Sequence, residues 1–431
     1  MMSNDAAIAT AVDVISMARA GEFAEVAKRF APQLQALVSG AAIETAWNGE
    51  LARVGPVQSL GTPTATDAIT GIVTVTIPLV CERGELAVAV SVHDSGALTG
   101  LQFVPLGGQS DPAQEWESPG YSDPTSFDEI DVELGAGALA VPGTVSLPRG
   151  TGPFPAVLVL SGSGPNDRDS TLGANKPLKD VAWGLASLGI AVLRFDKVTK
   201  VHGTEVRKDL DFTLSDEYVP AATAALELLR ARPDIDASRI FVLGHSLGGT
   251  VAPMVASIDG RVAGLVILAG GAQPLQWAIV RQLVYIAGLN PETAEAARPG
   301  IDALTRQAEL VDSAELTPNT PANDLPLGTP ARYWLSVRDY DPVSTAAILT
   351  LPILLLQGGR DYQATVTDDL AVWQAGLEKH PGTTTRIYDA DNHFFFPGSG
   401  PSSPAEYGPG QHVDPQVVVD IARWIGNRIA E

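Results

Sequence analysis

Between positions 239 and 253 the chain reads "RIFVLGHSLGGTVAP". A mostly apolar run ends in Gly244-His245-Ser246-Leu247-Gly248, and small, helix-compatible residues follow. The pentapeptide fits G-x-S-x-G, in which a serine occupies a sharp turn from a buried strand into a helix. Such a turn lifts the hydroxyl above the sheet and holds the serine backbone in a strained conformation. Side chains two positions before and two after would collide with neighbouring elements, so glycine is required at 244 and 248. The following helix aims free amides and the positive end of its dipole at the same spot. That arrangement prepares nucleophilic attack on a carbonyl carbon. The motif is short, and its weight comes from the strand before it and the helix after it.

A serine hydroxyl is a poor nucleophile at neutral pH and needs a base, itself oriented by a carboxylate. After such an elbow the partners follow in the order acid, then histidine. Downstream, "LPILLLQGGRDYQAT" reads as a buried strand ending in a loop that carries Asp361. "TTTRIYDADNHFFFPG" reads as another strand whose loop carries His393. Both lie just past strand C-termini, the edge where open α/β sheets build their sites. Of six histidines, His393 alone has that context after Ser246. His93, His202, His245, His380 and His412 are assigned surface or packing roles. Asp389 and Asp391 are too close to His393 along one loop to face it readily, and Asp341 is a weaker rival to Asp361.

Acyl transfer also needs donors for a developing oxyanion. One is the amide of Leu247, directly after the nucleophile. The other is expected from "SGSGPNDRD", after the strand "AVLVL", with the Ser163 amide chosen and Gly162 the fallback. Losing one such donor typically costs about 3 kcal/mol of transition-state stabilisation. The polar run Asn166, Asp167, Arg168, Asp169 has two readings, a pocket floor or a self-bonded loop. Trp277, Tyr333 and Trp334 are candidates to line an apolar acyl pocket, although such aromatics also serve as plain core.

The elements that must position these groups are legible as short apolar runs. They occur at 156–160, 190–195, 239–243, 262–269 and 351–357, without alternation, as in parallel strands buried on both faces. Segments such as "VPAATAALELLRARP" between them suit crossover helices. The pattern predicts an α/β class, doubly wound, mostly parallel sheet over 127–431. The stretch from Gly270 to Thr350 is far longer than one crossover needs, and is expected to be a helical cap or an extra packing layer.

The first part of the chain has another grammar. Ile8, Val12 and Ile15 share one helical face, as do Phe23, Val26, Phe30, Leu34 and Leu37. Val73, Val75, Ile77 and Leu79, then Leu86, Val88, Val90 and Val92, alternate with smaller or polar residues, as in a one-sided antiparallel sheet. "LTGLQFVPL" reads as a last strand. Residues 1–106 are therefore expected to form a small α+β domain, and 107–126, rich in Gly, Pro, Ser and acid, a linker.

At 431 residues two domains are the natural expectation. A formal charge of −22 disfavours nucleic acid and anionic lipid as partners. Cys81, the one cysteine, excludes an internal disulfide and suits a small core position. The N-terminal segment lacks the basic and apolar regions of a secretion signal, and no long apolar run spans a membrane, so the cytoplasm is the default location.

Taken together, "IDASRIFVLGHSLGG", "VLVLSGSGPNDRD", "VLRFDK", "LLLQGGRDYQAT" and "DADNHFF" resemble, in order, the motif blocks of the α/β-hydrolase superfamily, from about Phe127 onward. They look most like bacterial esterases related to the dienelactone-hydrolase and acylaminoacyl-peptidase branches, some of which carry a small helix-plus-sheet domain first. The resemblance implies Ser246 as nucleophile, His393 as base and Asp361 as its partner. Ser161 departs from the histidine usual in the oxyanion loop, and "DKVTKVHG" departs from an Asp-x-Arg-Gly pattern. No propeller repeat accompanies the catalytic part. The expected activity is metal-free and cofactor-free cleavage of a small-molecule carboxylic ester through an acyl-enzyme. Lactone opening or formation, thioester cleavage, acyl transfer and short-peptide amidolysis use the same triad. A binding module without chemistry is the third class, and a homodimer through the N-terminal domain is one role for that domain.

Overall fold

In the computed structural model, which describes residues 3–31, 38, 40–65, 72–104, 116–289 and 291–427, the chain divides into two compact units. The first comprises Met1–Ala113 and Leu283–Gln307, and the second Gln114–Gln282 and Ala308–Glu431. Thus part of the segment between Gly270 and Thr350 packs with the N-terminal unit.

In the first unit, Ser3 caps helix α1 (Asn4–Arg19), accepting from the Ala6 amide at 3.3 Å. The buried stripe of α1 is Ala7, Ala11, Val14, Ile15 and Ala18, with Ile8 and Val12 at its margin. Helices α2 (Phe23–Lys28) and α3 (Gly40–Val54) follow, while Leu34 and Leu37 lie outside the described residues. The sheet has β1 (Val57–Leu60), β2 (Thr64–Ala65), β3 (Ile72–Cys81), β4 (Gly84–His93) and β5 (Leu98–Val104). Its order is β1-β3-β4-β5, all antiparallel, with β2 on the edge of β3. Alternation in β3 is clean: Val73, Val75, Ile77, Leu79 and Cys81 are buried. In β4 both sets are buried, Ala87 and Ala89 included, so that strand is covered on both faces.

The second unit is built on eight strands, β6 (Phe127–Leu134), β7 (Val141–Pro148), β8 (Phe154–Leu160), β9 (Ala191–Phe195), β10 (Ile235–His245), β11 (Gly264–Leu268), β12 (Ile353–Gly358) and β13 (Thr383–Tyr388). Their order is β13-β12-β11-β10-β8-β9-β7-β6. From β13 to β9 all pairs are parallel, and β7 and β6 close the edge antiparallel. The apolar runs read as buried strands are these strands, and β8, β9, β11 and β12 are buried along almost their whole length. Each fully buried Val, Leu or Ile contributes roughly 1.5–3 kcal/mol.

Helices α4 (Pro177–Ser187), α5 (Leu214–Ala231) and α6 (Leu247–Asp259) are the crossovers, and α12 (Pro415–Asn427) packs beside α4. Between β11 and β12 run α7 (Leu275–Gly288), α8 (Pro291–Asp312), α9 (Ala331–Arg338) and α10 (Pro342–Ala347), and α11 (Ala371–Gly376) follows β12. Residues 116–126, expected as linker, are docked on α4. Trp116 Nε1 donates to Asp180 at 2.7 Å and the Trp116 ring meets Trp183 edge-on. No described helix is long and apolar enough to cross a membrane.

Candidate active site

Gly244 ends the apolar part of β10, and Ser246 is the residue before α6, with φ 55° and ψ −122°. A positive φ is unfavourable for a side-chain-bearing residue and costs on the order of 1–3 kcal/mol, which the packing around it must offset. The two glycines are explained by space. A Cβ on Gly244 would lie 2.1 Å from the Gly248 carbonyl oxygen, and one on Gly248 would lie 2.3 Å from the Leu160 carbonyl oxygen. Close approach of the first turn of α6 to β8 and β10 therefore requires glycine at both positions.

Asp361 follows β12 and His393 follows β13, and the fold brings them together: His393 Nδ1 donates to Asp361 Oδ2 at 2.8 Å, with both side chains buried. The Asp361 carboxylate has three further donors. Gln357 Nε2 reaches Oδ2 at 3.0 Å, and the amides of Gln363 and Ala364 reach Oδ1 at 2.7 and 3.1 Å. A neutral imidazole that donates from Nδ1 to the carboxylate carries its lone pair at Nε2. The rivals do not serve. Neither oxygen of Asp391 is hydrogen-bonded, and Asp341 caps α10 by accepting from Val343 and Ser344.

The loop carrying His393 and the turn carrying Ser246 are packed against each other. His245 Nε2 donates to the His393 carbonyl at 2.9 Å, and the two imidazoles lie 4.7 Å apart. Among the described residues no hydrogen bond joins the Ser246 hydroxyl to the imidazole. Such bonds often close only when substrate is bound. Asn392 braces the histidine loop, its Oδ1 accepting from the amides of Phe394 and Phe396 and its Nδ2 donating to Glu406 at 3.0 Å.

The Ser161–Gly164 loop runs alongside. A Cβ on Gly162 would sit 3.1 Å from the Ser246 Cβ, so this backbone touches Ser246. Neither the Ser163 nor the Leu247 amide has a protein acceptor among the described residues, and both residues line the large cavity that opens on Ser246. That cavity, about 1450 Å³, is walled by α7, α9 and α11 with side chains such as Leu275, Ile279, Trp334 and Val337. Its base is tied down by buried Asp369, which accepts from the amides of Ala272 and Thr365 and from Arg281 at 2.5 Å.

Of the expected pocket residues, Tyr333 and Trp334 line the cavity, whereas Gly162, Asn166 and Trp277 do not. Trp277 is held instead by Asp312, to which its indole donates at 2.6 Å. Asn166 turns inward, donating to the Gly162 and Ser163 carbonyls at 3.1 and 2.8 Å. Arg168 and Asp169 form ion pairs with Asp196 and Arg194, just after and within β9, and none of residues 166–169 lines the cavity. Sequence reasoning missed Lys197, Glu217 and Tyr218, which lie behind the Ser161–Gly164 loop. A lysine two residues past a buried strand and a helical Glu-Tyr pair carry no motif. Among the described residues no cluster of three or more His, Cys, Asp or Glu is arranged to hold a metal ion.

A family model described as "Alpha/beta hydrolase family" matches residues 157–407. Esterase EstD of Thermotoga maritima is 37% identical over 344 residues, which is 80% of this chain and 77% of that protein. Among solved structures, Est1E from Butyrivibrio proteoclasticus is 15% identical, covering 70% of this chain and 99% of its own, with a TM-score of 0.45. A Pyrobaculum calidifontis esterase is 17% identical, covering 70% of this chain and 87% of its own, also with a TM-score of 0.45. From the family match and the extent of its likeness to EstD, on a fold of this order, the chain belongs to the alpha/beta hydrolase family.

Proposed function

We propose that this hydrolase cleaves carboxylic esters through an acyl-enzyme on Ser246, with His393 as general base and acid and Asp361 as its orienting carboxylate. The observation that carries the reading is the buried 2.8 Å bond from His393 to Asp361, on a loop packed against the strained turn of Ser246. In the first step the Ser246 oxygen adds to the ester carbonyl as its proton passes to His393 Nε2. The tetrahedral oxyanion takes hydrogen bonds from the amides of Leu247 and Ser163, and the alkoxide leaves with the proton from His393. Water then adds to the acyl-enzyme by the same route in reverse, releasing the acid and free Ser246. The apolar walls of the cavity suit an apolar acyl or alcohol group, and the 37% identical relative carries the name esterase.

The test combines a fluorophosphonate probe with p-nitrophenyl ester turnover. Wild-type protein should be labelled at Ser246, and Ser246→Ala should lose both labelling and turnover, the latter by on the order of 10⁶. Full activity in Ser246→Ala would end the reading. Rates led by an aminoacyl amide or a thioester over the matched ester would move the substrate class.

A further inference from the structure

Behind the oxyanion loop lies a group of charged and phenolic side chains that the mechanism above does not use. Lys197, just after β9, is 1% exposed. Its ammonium makes three contacts: Glu217 Oε1 at 2.6 Å, the Gly162 carbonyl at 2.9 Å and the Tyr218 hydroxyl at 2.9 Å. The Tyr218 hydroxyl in turn donates to the carbonyls of Ser161 and Gly162 at 3.0 and 3.1 Å. Asn166 Nδ2 also reaches the Gly162 carbonyl, at 3.1 Å. One backbone oxygen is thus surrounded by donors from three residues, one of them a buried cation. Burial pushes the Lys197 pKa down, and the charge of Glu217 opposes that shift.

The peptide joining Gly162 to Ser163 is trans and planar, so its C=O and N–H point in opposite directions. Donors that pull the Gly162 oxygen into the core therefore turn the Ser163 N–H the other way, toward the cavity where Ser246 stands. A cation on the carbonyl also polarises the amide and makes its N–H a stronger donor. On the far side, the second oxygen of Glu217 accepts from the Tyr333 hydroxyl at 2.7 Å, and both Glu217 and Tyr333 line the cavity.

We infer that Lys197, with Tyr218, is a positioning residue that orients and polarises the Gly162–Ser163 peptide as an oxyanion donor, and that Glu217 and Tyr333 join this device to the wall of the substrate cavity. The inference rests on the acyl-enzyme reading. It explains why a charge is retained in the core at a place where a leucine or methionine would fill the same space without a desolvation cost.

The test uses the full-length protein with Lys197→Met/Glu217→Gln, which removes both charges together so that neither is stranded, and Tyr218→Phe, which keeps the ion pair. In the double variant kcat on a p-nitrophenyl ester should fall 10²–10³-fold, the range for loss of one oxyanion donor, with KM within threefold of wild type. Affinity for phenylboronic acid, which forms a tetrahedral oxyanion adduct on a reactive serine, should fall by the same factor. Tyr218→Phe should lose about tenfold in both, one such factor being about 1.4 kcal/mol. A double variant with kcat within threefold of wild type, or a loss carried by KM with boronate affinity unchanged, would overturn the inference. If the double variant does not fold, Tyr218→Phe is judged by the same split, with no change in kcat or boronate affinity counting against the inference. Persistent fluorophosphonate labelling of Ser246 in the variants separates this outcome from failure of the acyl-enzyme reading, in which wild-type protein itself is not labelled.

Discussion

The imidazole of His245 donates from Nε2 to the backbone carbonyl of His393 at 2.9 Å, so the residue before Ser246 holds the backbone of His393. Burial, with the nearby His393 as the lesser cause, pushes the His245 pKa down to about 3, which leaves it neutral and a reliable donor over the working pH range. His245→Phe fills the space without the donor and strands a buried carbonyl. Stability should fall by roughly 1–3 kcal/mol, and kcat by about tenfold as the His393 loop loosens. His245→Gln, which can still donate, should recover part of both. Urea unfolding and steady-state turnover, measured side by side, check this. A Phe variant that is as stable and as fast as wild type would show the bond to be idle.

The glycines of the elbow make a second prediction, because their reason is space and not flexibility. In Gly248→Ala the new methyl would need to occupy a point 2.3 Å from the Leu160 carbonyl oxygen, so α6 must shift away from β8. Overpacking of this kind costs roughly 1–3 kcal/mol or more, and the shift carries the Leu247 amide with it. Thermal unfolding should show a lowered midpoint, and any folded fraction should turn over ester at least tenfold more slowly. Gly260→Ala serves as a control. Gly260 ends α6 in the left-handed region with open space around it, so alanine there should cost backbone strain but little activity.

A third prediction concerns Asp391, two residues before His393. Its carboxylate is buried with neither oxygen hydrogen-bonded, and burial pushes its pKa up to about 7, the Asp414 charge adding to the rise and Arg360 opposing it. The folded-state pKa is above the unfolded one, so folding disfavours the ionised form. Stability is therefore undiminished below the ordinary carboxylate range, falls as pH rises toward 7, and levels off above it. Asp391→Asn should stabilise little at pH 4 and progressively more up to about pH 8, by roughly 2–4 kcal/mol at most. Unfolding curves at several pH values decide it, and an increment that does not change with pH would refute the assignment.

Much of the candidate site is legible in the sequence. The strand Ile240–Leu243, the glycines 244 and 248 and the serine between them are local, since each residue type answers a demand made by its chain neighbours. Asp361 was legible because it stands just past an apolar run that reads as a buried strand, and His393 because it stands in the loop after the next strand, at the edge where such sheets gather polar loops. The N-terminal meander showed in the alternation of Val73 to Leu79. Where the reading stopped short, the reason was packing. The stripe of α1 is centred on alanines that permit close approach, so the larger Ile8 and Val12 fall at its margin. Residues 116–126 have a linker's composition, yet Trp116 and Tyr121 dock on the catalytic unit.

The amino-acid order by itself determined the class of sheet, the place of the elbow and the identity of the two residues that follow it, because backbone sterics and burial act over a few neighbouring positions. Only the tertiary structure decided which aromatics wall the cavity, that Trp277 turns to Asp312, and that Lys197, paired with Glu217, converges with Tyr218 on one peptide oxygen. Those contacts join residues tens of positions apart through side chains whose directions depend on how whole elements pack, and no local period or spacing records such directions.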